Sequence, residues 1–228
     1  MTSAAQILDD LRARGDVTKA AEMVAYHKTA RECLGVPAAV LDEMARDSRH
    51  NLTLDARCAL AEDMWASDVH EACVFGAKLL TQARIRPEDE LVWRIIATWA
   101  QSFDSWALAD HASIAGAKRL QADPARLDEV EGWITSENMW TRRAALVMTL
   151  PWARLTHPKA DDLAVRERVL GWAGGYVSDR NPFMQKAVAW WLRELSKRDP
   201  ARVVSFVEGP GAALTKGART EALRIIQT

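Results

Sequence analysis

Helical periodicity, interrupted at short intervals, constrains this chain more than any other feature. Apolar or small residues recur at three- and four-residue steps, as in Ala5, Leu8 and Leu11, in Leu54, Cys58, Ala61 and Trp65, and in Leu91, Ile95, Thr98 and Ser102. Such spacing lays one stripe along a helix, and no stretch shows the sustained β-branched alternation of a half-buried strand. Breakers fall between the periodic segments, at Gly35-Val36-Pro37, Arg86-Pro87, Asp123-Pro124, His157-Pro158, Gly174-Gly175, Asn181-Pro182, Asp199-Pro200 and Gly209-Pro210-Gly211. An all-α fold follows, with helices of roughly 10–18 residues and short connections. At 228 residues the chain is expected to form one domain or one continuous array over residues 1–228.

The helical segments also resemble one another. Ser136-Glu137-Asn138-Met139-Trp140-Thr141-Arg142-Arg143 aligns with Ser178 to Lys186 once one residue is inserted in the second copy, and Asn138 and Asn181 then lie 43 residues apart. In both copies an aromatic follows the Asn by two positions and a cation by five. Asp104-Ser105-Trp106 repeats the acid and aromatic 34 residues before Asn138. Asn or Asp is a good helix N-cap, with the aromatic then falling in the first turn. Paired-helix repeats of about 40–47 residues indicate a HEAT or armadillo-like superhelix, whose concave face would bind a partner. An irregular helical bundle is the competing fold.

Composition narrows the function classes. The three cysteines, Cys33, Cys58 and Cys73, match neither a zinc knuckle nor a redox pair, and read as small buried residues of a reducing compartment. The first ten residues lack a basic segment and meet Asp9 and Asp10 before any long apolar run, so no signal peptide is expected, and no apolar window approaches a membrane span. A cytoplasmic protein is the expectation. The formal net charge is −1, yet residues 1–100 hold 12 Lys and Arg against 16 Asp and Glu, whereas residues 142–228 hold 15 against 8. A local basic field is what phosphate contacts need, because each neutralised phosphate releases counterions whatever the distant half carries. An ordinary solvated surface is the alternative.

Two helices carry residues suited to chemistry or binding. Trp106 and Asp110, four apart, share one helix face, an aromatic plane beside a carboxylate that suits a flat cation. Read structurally, Trp106 is core and Asp110 a solvated helix residue. On the helix beginning at Asn181, Lys186, Trp190, Arg193 and Lys197 form a cationic stripe around one indole, while Phe183, Ala187, Trp191 and Leu195 form the adjacent apolar stripe. Trp190 is therefore expected to be exposed in a basic groove and Trp191 to be structural, the cations meeting phosphates and the indole a sugar or base. Simple snorkelling of cations around a half-buried Trp is the plainer reading. Of Arg142 and Arg143, one should point into the groove. The five histidines lack metal-ligand spacing, and there is neither a Gly-rich phosphate loop nor a nucleophile elbow, so neither a metal nor another cofactor is expected.

With these residues in place the chain resembles the bacterial AlkD-type DNA glycosylases, HEAT-like repeat enzymes that excise N3- and N7-alkylated purines. The resemblance runs from about Ala21 to Ile226 and is most specific in Trp133 to Ala145 and Gln185 to Glu194, with weaker likeness at Met23-Val24-Ala25-Tyr26. It implies catalytic roles for Trp106, Asp110 and Trp190, and DNA contacts at Arg143, with Arg142, Lys186, Arg193, Lys197 and Tyr26 beside it. Ser105 and Ala107 stand where a family member carries Trp and Asp, a difference that bears on lesion preference. An alkylated purine is already cationic, so the implied mechanism needs no general acid. Asp110 would stabilise an oxocarbenium-like transition state or position water, while the indoles hold sugar and base. The implied partner is double-stranded DNA carrying alkylated bases, met by a monomer. A non-catalytic DNA-binding relative and a HEAT-type protein scaffold are the other two readings.

Overall fold

A computed structural model of the chain describes residues 3–226 and divides it into two compact units, Met1–Ala122 and Asp123–Thr228. The all-α expectation holds. No strand forms among the described residues, although an isolated bridge joins Glu32 and Val69.

The first unit contains α1 (Ala4–Ala13), α2 (Val17–His27), α3 (Ala38–Asn51), α4 (Leu54–Ala66), α5 (His70–Leu79), α6 (Glu90–Trp99) and α7 (Trp106–Ala122). Local chemistry starts several of them. Ser3 and Gln6 form a reciprocal capping box on α1, Asp16 accepts from the amides of Thr18 and Lys19, and Thr53 caps α4 through the Ala56 amide. Helix α5 is the centre of this unit, buried along nearly its whole length and packed on α3, α4 and α7. Its Glu71 is fully buried and accepts the backbone N–H groups of Leu34, Gly35 and Val36 at 3.0, 2.6 and 3.1 Å, so a buried carboxylate is satisfied by the loop it holds. That loop requires glycine at position 35: φ is +81°, and a Cβ there would meet the Asp16 carbonyl oxygen at 2.1 Å.

Four of the polar ties of this unit share nearly one spacing. Leu34 with Glu71, Trp65 with Ser102, and the Gln82 carbonyl with Arg119 are each 37 residues apart, and Asp42 with Lys78 is 36 apart. Bonds at one fixed separation are what stacked helix pairs produce, since each repeat touches its neighbour in the same way.

The second unit contains α8 (Leu127–Gly132), α9 (Met139–Met148), α10 (Leu150–Arg154), α11 (Ala160–Gly175), α12 (Pro182–Ser196), α13 (Pro200–Glu208) and α14 (Lys216–Leu223). The aligned Asn pair does what the repeat predicts: Asn138 caps α9 through the Trp140 amide and Asn181 caps α12 through the Phe183 amide. The third copy does not. Ser105 precedes α7 and its carbonyl accepts from Ala109, while Asp104 is turned to Thr29 and Arg31. Four ties here run longer, at 40 for Arg143 with the Phe183 carbonyl, 41 for Glu131 with Trp172, and 42 for Ile134 with Tyr176 and for Thr149 with Trp191, while Arg168 with Glu131 is 37 apart and Arg202 with Glu167 is 35. Trp191, Ala187 and Leu195 are buried as the apolar stripe predicts. Gln185 is also buried, its amide reaching the carbonyls of Tyr176, Val177 and Asp179 and its oxygen accepting from Thr215, which joins the approach to α12 to the start of α14.

The cysteines are free, and burial raises their thiols, Cys33 and Cys58 to about 11 and Cys73 to about 12, so none is a ready thiolate. Among the described residues no helix is long and apolar enough to cross a membrane.

Candidate functional site

In the first unit the start of α7 meets the end of α2. Trp106 and Asp110 are half-buried and one turn apart on α7, as their spacing predicts. The Trp106 ring stands almost perpendicular to that of Tyr26, with centroids 5.6 Å apart and an 88° interplanar angle. Tyr26 is 68% exposed, so this aromatic corner is open to solvent. His27 closes its back, 5.1 Å from both Tyr26 and Trp106 and stacked on His70 at 4.5 Å.

A polar network fixes the segment that follows. Lys28 ends α2 in the left-handed conformation, φ 54°, and the Thr29 hydroxyl donates to Asp104 at 2.5 Å. Arg31 lies 2.6 Å from Asp68 and 3.5 Å from Asp104, donates to the Ser102 carbonyl, and sits over the Trp65 ring at 5.6 Å. The α2 end is thereby held against the loop that leads into α7. Burial lowers the His27 pKa against the opposing pull of Glu71. Burial likewise takes His70 to about 4, with His27 adding to the effect, and His111 to about 4, with Lys78 adding. A carboxylate one turn from an aromatic corner can hold a flat cation and oppose positive charge that develops on it. Spacing within α7 places Trp106 and Asp110 on one helix face. It gives no sign of His27 or His70, which come from other helices.

In the second unit a groove of about 660 Å³ opens along α12. Arg143, Lys186 and Arg193, three of the residues expected to contact DNA, line it together with Trp190, which was expected to be catalytic, and Arg180 joins them. Lys186 is exposed and lies over the Phe183 ring at 5.6 Å. Arg143 is buried and donates to the Phe183 carbonyl at 2.7 Å, so its guanidinium is held in place from within. Trp190, expected to be exposed, is half-buried with Arg154 over its ring at 6.0 Å, whereas Trp191 is buried as expected. Arg193 pairs with Glu221 of α14, a groove carboxylate that the α12 stripe gave no reason to expect.

Two expected DNA contacts are engaged elsewhere. Arg142 donates to the carbonyls of Ser136 and Glu137 at 2.6 and 3.0 Å and lies 3.8 Å from Asp179. Lys197 binds both oxygens of Glu194 at 2.9 and 3.0 Å. Burial works against the Glu194 charge, but Lys197 and Arg154 outweigh it and hold the carboxyl below its ordinary value. Among the described residues no cluster of His, Cys, Asp and Glu is arranged to hold a metal ion.

Comparison with known proteins gives one concordant result. The model of the family described as DNA alkylation repair enzyme matches residues 7–226. A structure described as a predicted DNA alkylation repair enzyme from Enterococcus faecalis is similar at TM-score 0.73 and 22% identity, over 92% of this chain and 96% of that one. AlkD2 from Streptococcus mutans is similar at TM-score 0.65 and 14% identity, over 99% and 98%. A protein described as belonging to a new family, related to the HEAT-like repeat DNA glycosylases and with affinity for branched DNA structures, is similar at TM-score 0.70 and 12% identity, over 99% and 94%. At these identities the structural likeness carries the HEAT-like helical-repeat fold alone. No curated protein matches the chain.

Proposed function

Because the chain belongs to the DNA alkylation repair enzyme family, we propose that it is a monofunctional DNA glycosylase that releases cationic N3- or N7-alkylpurines from duplex DNA, acting as a monomer. The observation that carries this reading is the open corner of Trp106 and Tyr26, with Asp110 one turn along α7. An alkylated purine is a flat cation, so the rings hold it by cation–π contact, each worth ~0.5–2 kcal/mol. As the glycosidic bond lengthens, positive charge moves to the sugar, and the Asp110 carboxylate stabilises it or orients the attacking water. The base leaves without prior protonation, so no general acid takes part.

The second unit supplies backbone affinity. Lys186, Arg180, Arg143 and Arg193 meet phosphates, and Trp190 packs on deoxyribose. Arg142 and Lys197 flank this surface and join it when phosphate displaces their present partners.

A second reading is favoured by the structural neighbour described as having affinity for branched DNA: a DNA-binding protein that releases no base. Incubation with methylated duplex separates the two. Release of 7-methylguanine or 3-methyladenine by the intact protein, lost in Asp110→Asn while duplex binding survives, is the expected result. Salt-sensitive binding with no base released, or full turnover by Asp110→Asn, overturns the glycosylase reading.

A further inference from the structure

Glycosidic-bond cleavage by Asp110 and an indole does not account for the imidazoles behind Trp106. His27 touches both walls of the aromatic corner and stacks on His70, whose ring is only 2% exposed, at an interplanar angle of 28°. The Nδ1 atoms of both rings are enclosed and have no hydrogen-bond partner. A protonated imidazole carries N–H on both nitrogens, so charging either ring would bury an unsatisfied cationic donor beside its neighbour.

The surrounding charges do not relieve this. Glu71 of α5 is the carboxylate whose field reaches His27, but its oxygens are taken by the Leu34, Gly35 and Val36 amides. Asp104, from the loop before α7, and Arg31, from the segment after α2, face His70 with opposite signs. His111 of α7 is a third imidazole, itself faced by Lys78 of α5 and Asp42 of α3. Burial outweighs all of these and keeps the cluster neutral near pH 7.

We propose that the stacked His27–His70 pair is the uncharged backing of the cation site formed by Trp106 and Tyr26, and that His27 is a positioning residue that lets this site prefer a cationic lesion over a neutral one. The inference rests on the reading above that positive charge, which passes from base to sugar as the bond lengthens, is held beside Trp106 and Asp110. A neutral imidazole leaves the π density of the indole to the ligand. A protonated His27, 5.1 Å from the Trp106 centroid, would draw on the same density and repel the incoming charge. Discrimination therefore fails on acidification, as protonation of His27 replaces the ligand's charge with the protein's own.

The test compares two duplexes, one carrying a pyrrolidine abasic nucleotide, whose amine stays cationic over the range used, and one carrying the neutral tetrahydrofuran analogue. The ratio of their affinities, measured by fluorescence anisotropy, cancels pH effects on ordinary backbone binding. Wild-type protein is expected to prefer the cationic duplex by about ten-fold at about pH 7.5 and to lose that preference at an acid pH below the ordinary imidazole range. His27→Phe keeps a ring and removes the titration, so its preference should be the same at both values; His27→Gln repeats the test without a ring, and affinity for the neutral duplex reports that each variant is folded. A wild-type preference that does not change with pH, or a pH dependence that persists in both variants, overturns the proposal. No preference for the cationic duplex at either pH overturns the underlying reading of the Trp106 site as well.

Discussion

The two units build stacked helices in the same way and treat charge differently. Several ties in the first fall at 36–37 residues and several in the second at 40–42. Residues 1–122 hold 14 Lys and Arg against 18 Asp and Glu, and residues 123–228 hold 16 against 13. The interior of the first unit includes His70, with His27 and His111 half-buried, groups that are neutral at pH 7 and charge within a few pH units. The second has the exposed His157 alone, and its groove is lined by arginine and lysine, which stay charged throughout. Sensitivity to pH and sensitivity to salt should therefore separate, the first belonging to residues 1–122 and the second to residues 123–228.

The sharpest way to break that division is to exchange the roles. Asp110→Asn should lower single-turnover base release by about 10²–10³-fold while duplex affinity stays within about two-fold, whereas Lys186→Ala should weaken duplex binding and leave saturated single-turnover release within about two-fold. Equal losses of affinity in both variants would show that chemistry and backbone binding are not divided between the units.

Acid should weaken the first unit next. In the unfolded chain His70 takes its proton near pH 6.5, but in the folded protein only near pH 4. Protonation thus favours unfolding, so the stability tied to the neutral ring is complete above about pH 6.5 and is lost as pH falls to about 4, by up to ~3 kcal/mol. Urea unfolding followed through amide resonances of each unit checks this, and a parallel loss in residues 123–228 would contradict it.

Smaller effects belong to the groove. Lys186→Ala should weaken duplex binding several-fold and reduce the slope of log affinity against log salt by about 0.9, one phosphate's share. Glu221→Gln should act in the opposite direction and more weakly. Releasing Arg193 from its carboxylate should raise affinity by about two- to three-fold and steepen the salt dependence, which a titration at several salt concentrations would detect.

Much of the α12 surface was legible in advance because a helix converts sequence spacing directly into direction. Trp190 and Trp191 are neighbours with opposite fates, half-buried in the groove and fully buried on Thr149, and the three- and four-residue steps around them say so. The same geometry put Trp106 and Asp110 on one helix face. It failed where a side chain had a partner within its own helix: Lys197 keeps the spacing of the stripe yet is held by Glu194, three residues before it. It failed again at Asp104, where the sequence resemblance to Asn138 is real but a hydroxyl and a guanidinium from the end of α2 compete for the carboxylate more strongly than the helix terminus does.

What this chain determines by itself is its helices, their caps and the faces they present, because those depend on contacts within a turn or two. The pairing of Arg193 with Glu221, the meeting of Tyr26, His27, His70 and Trp106, and the hold of Glu71 on Gly35 were decided only in three dimensions. Each joins groups tens of residues apart whose encounter depends on how successive helix pairs stack. Burial then sets the charge of the histidines, and no local pattern encodes burial of that kind.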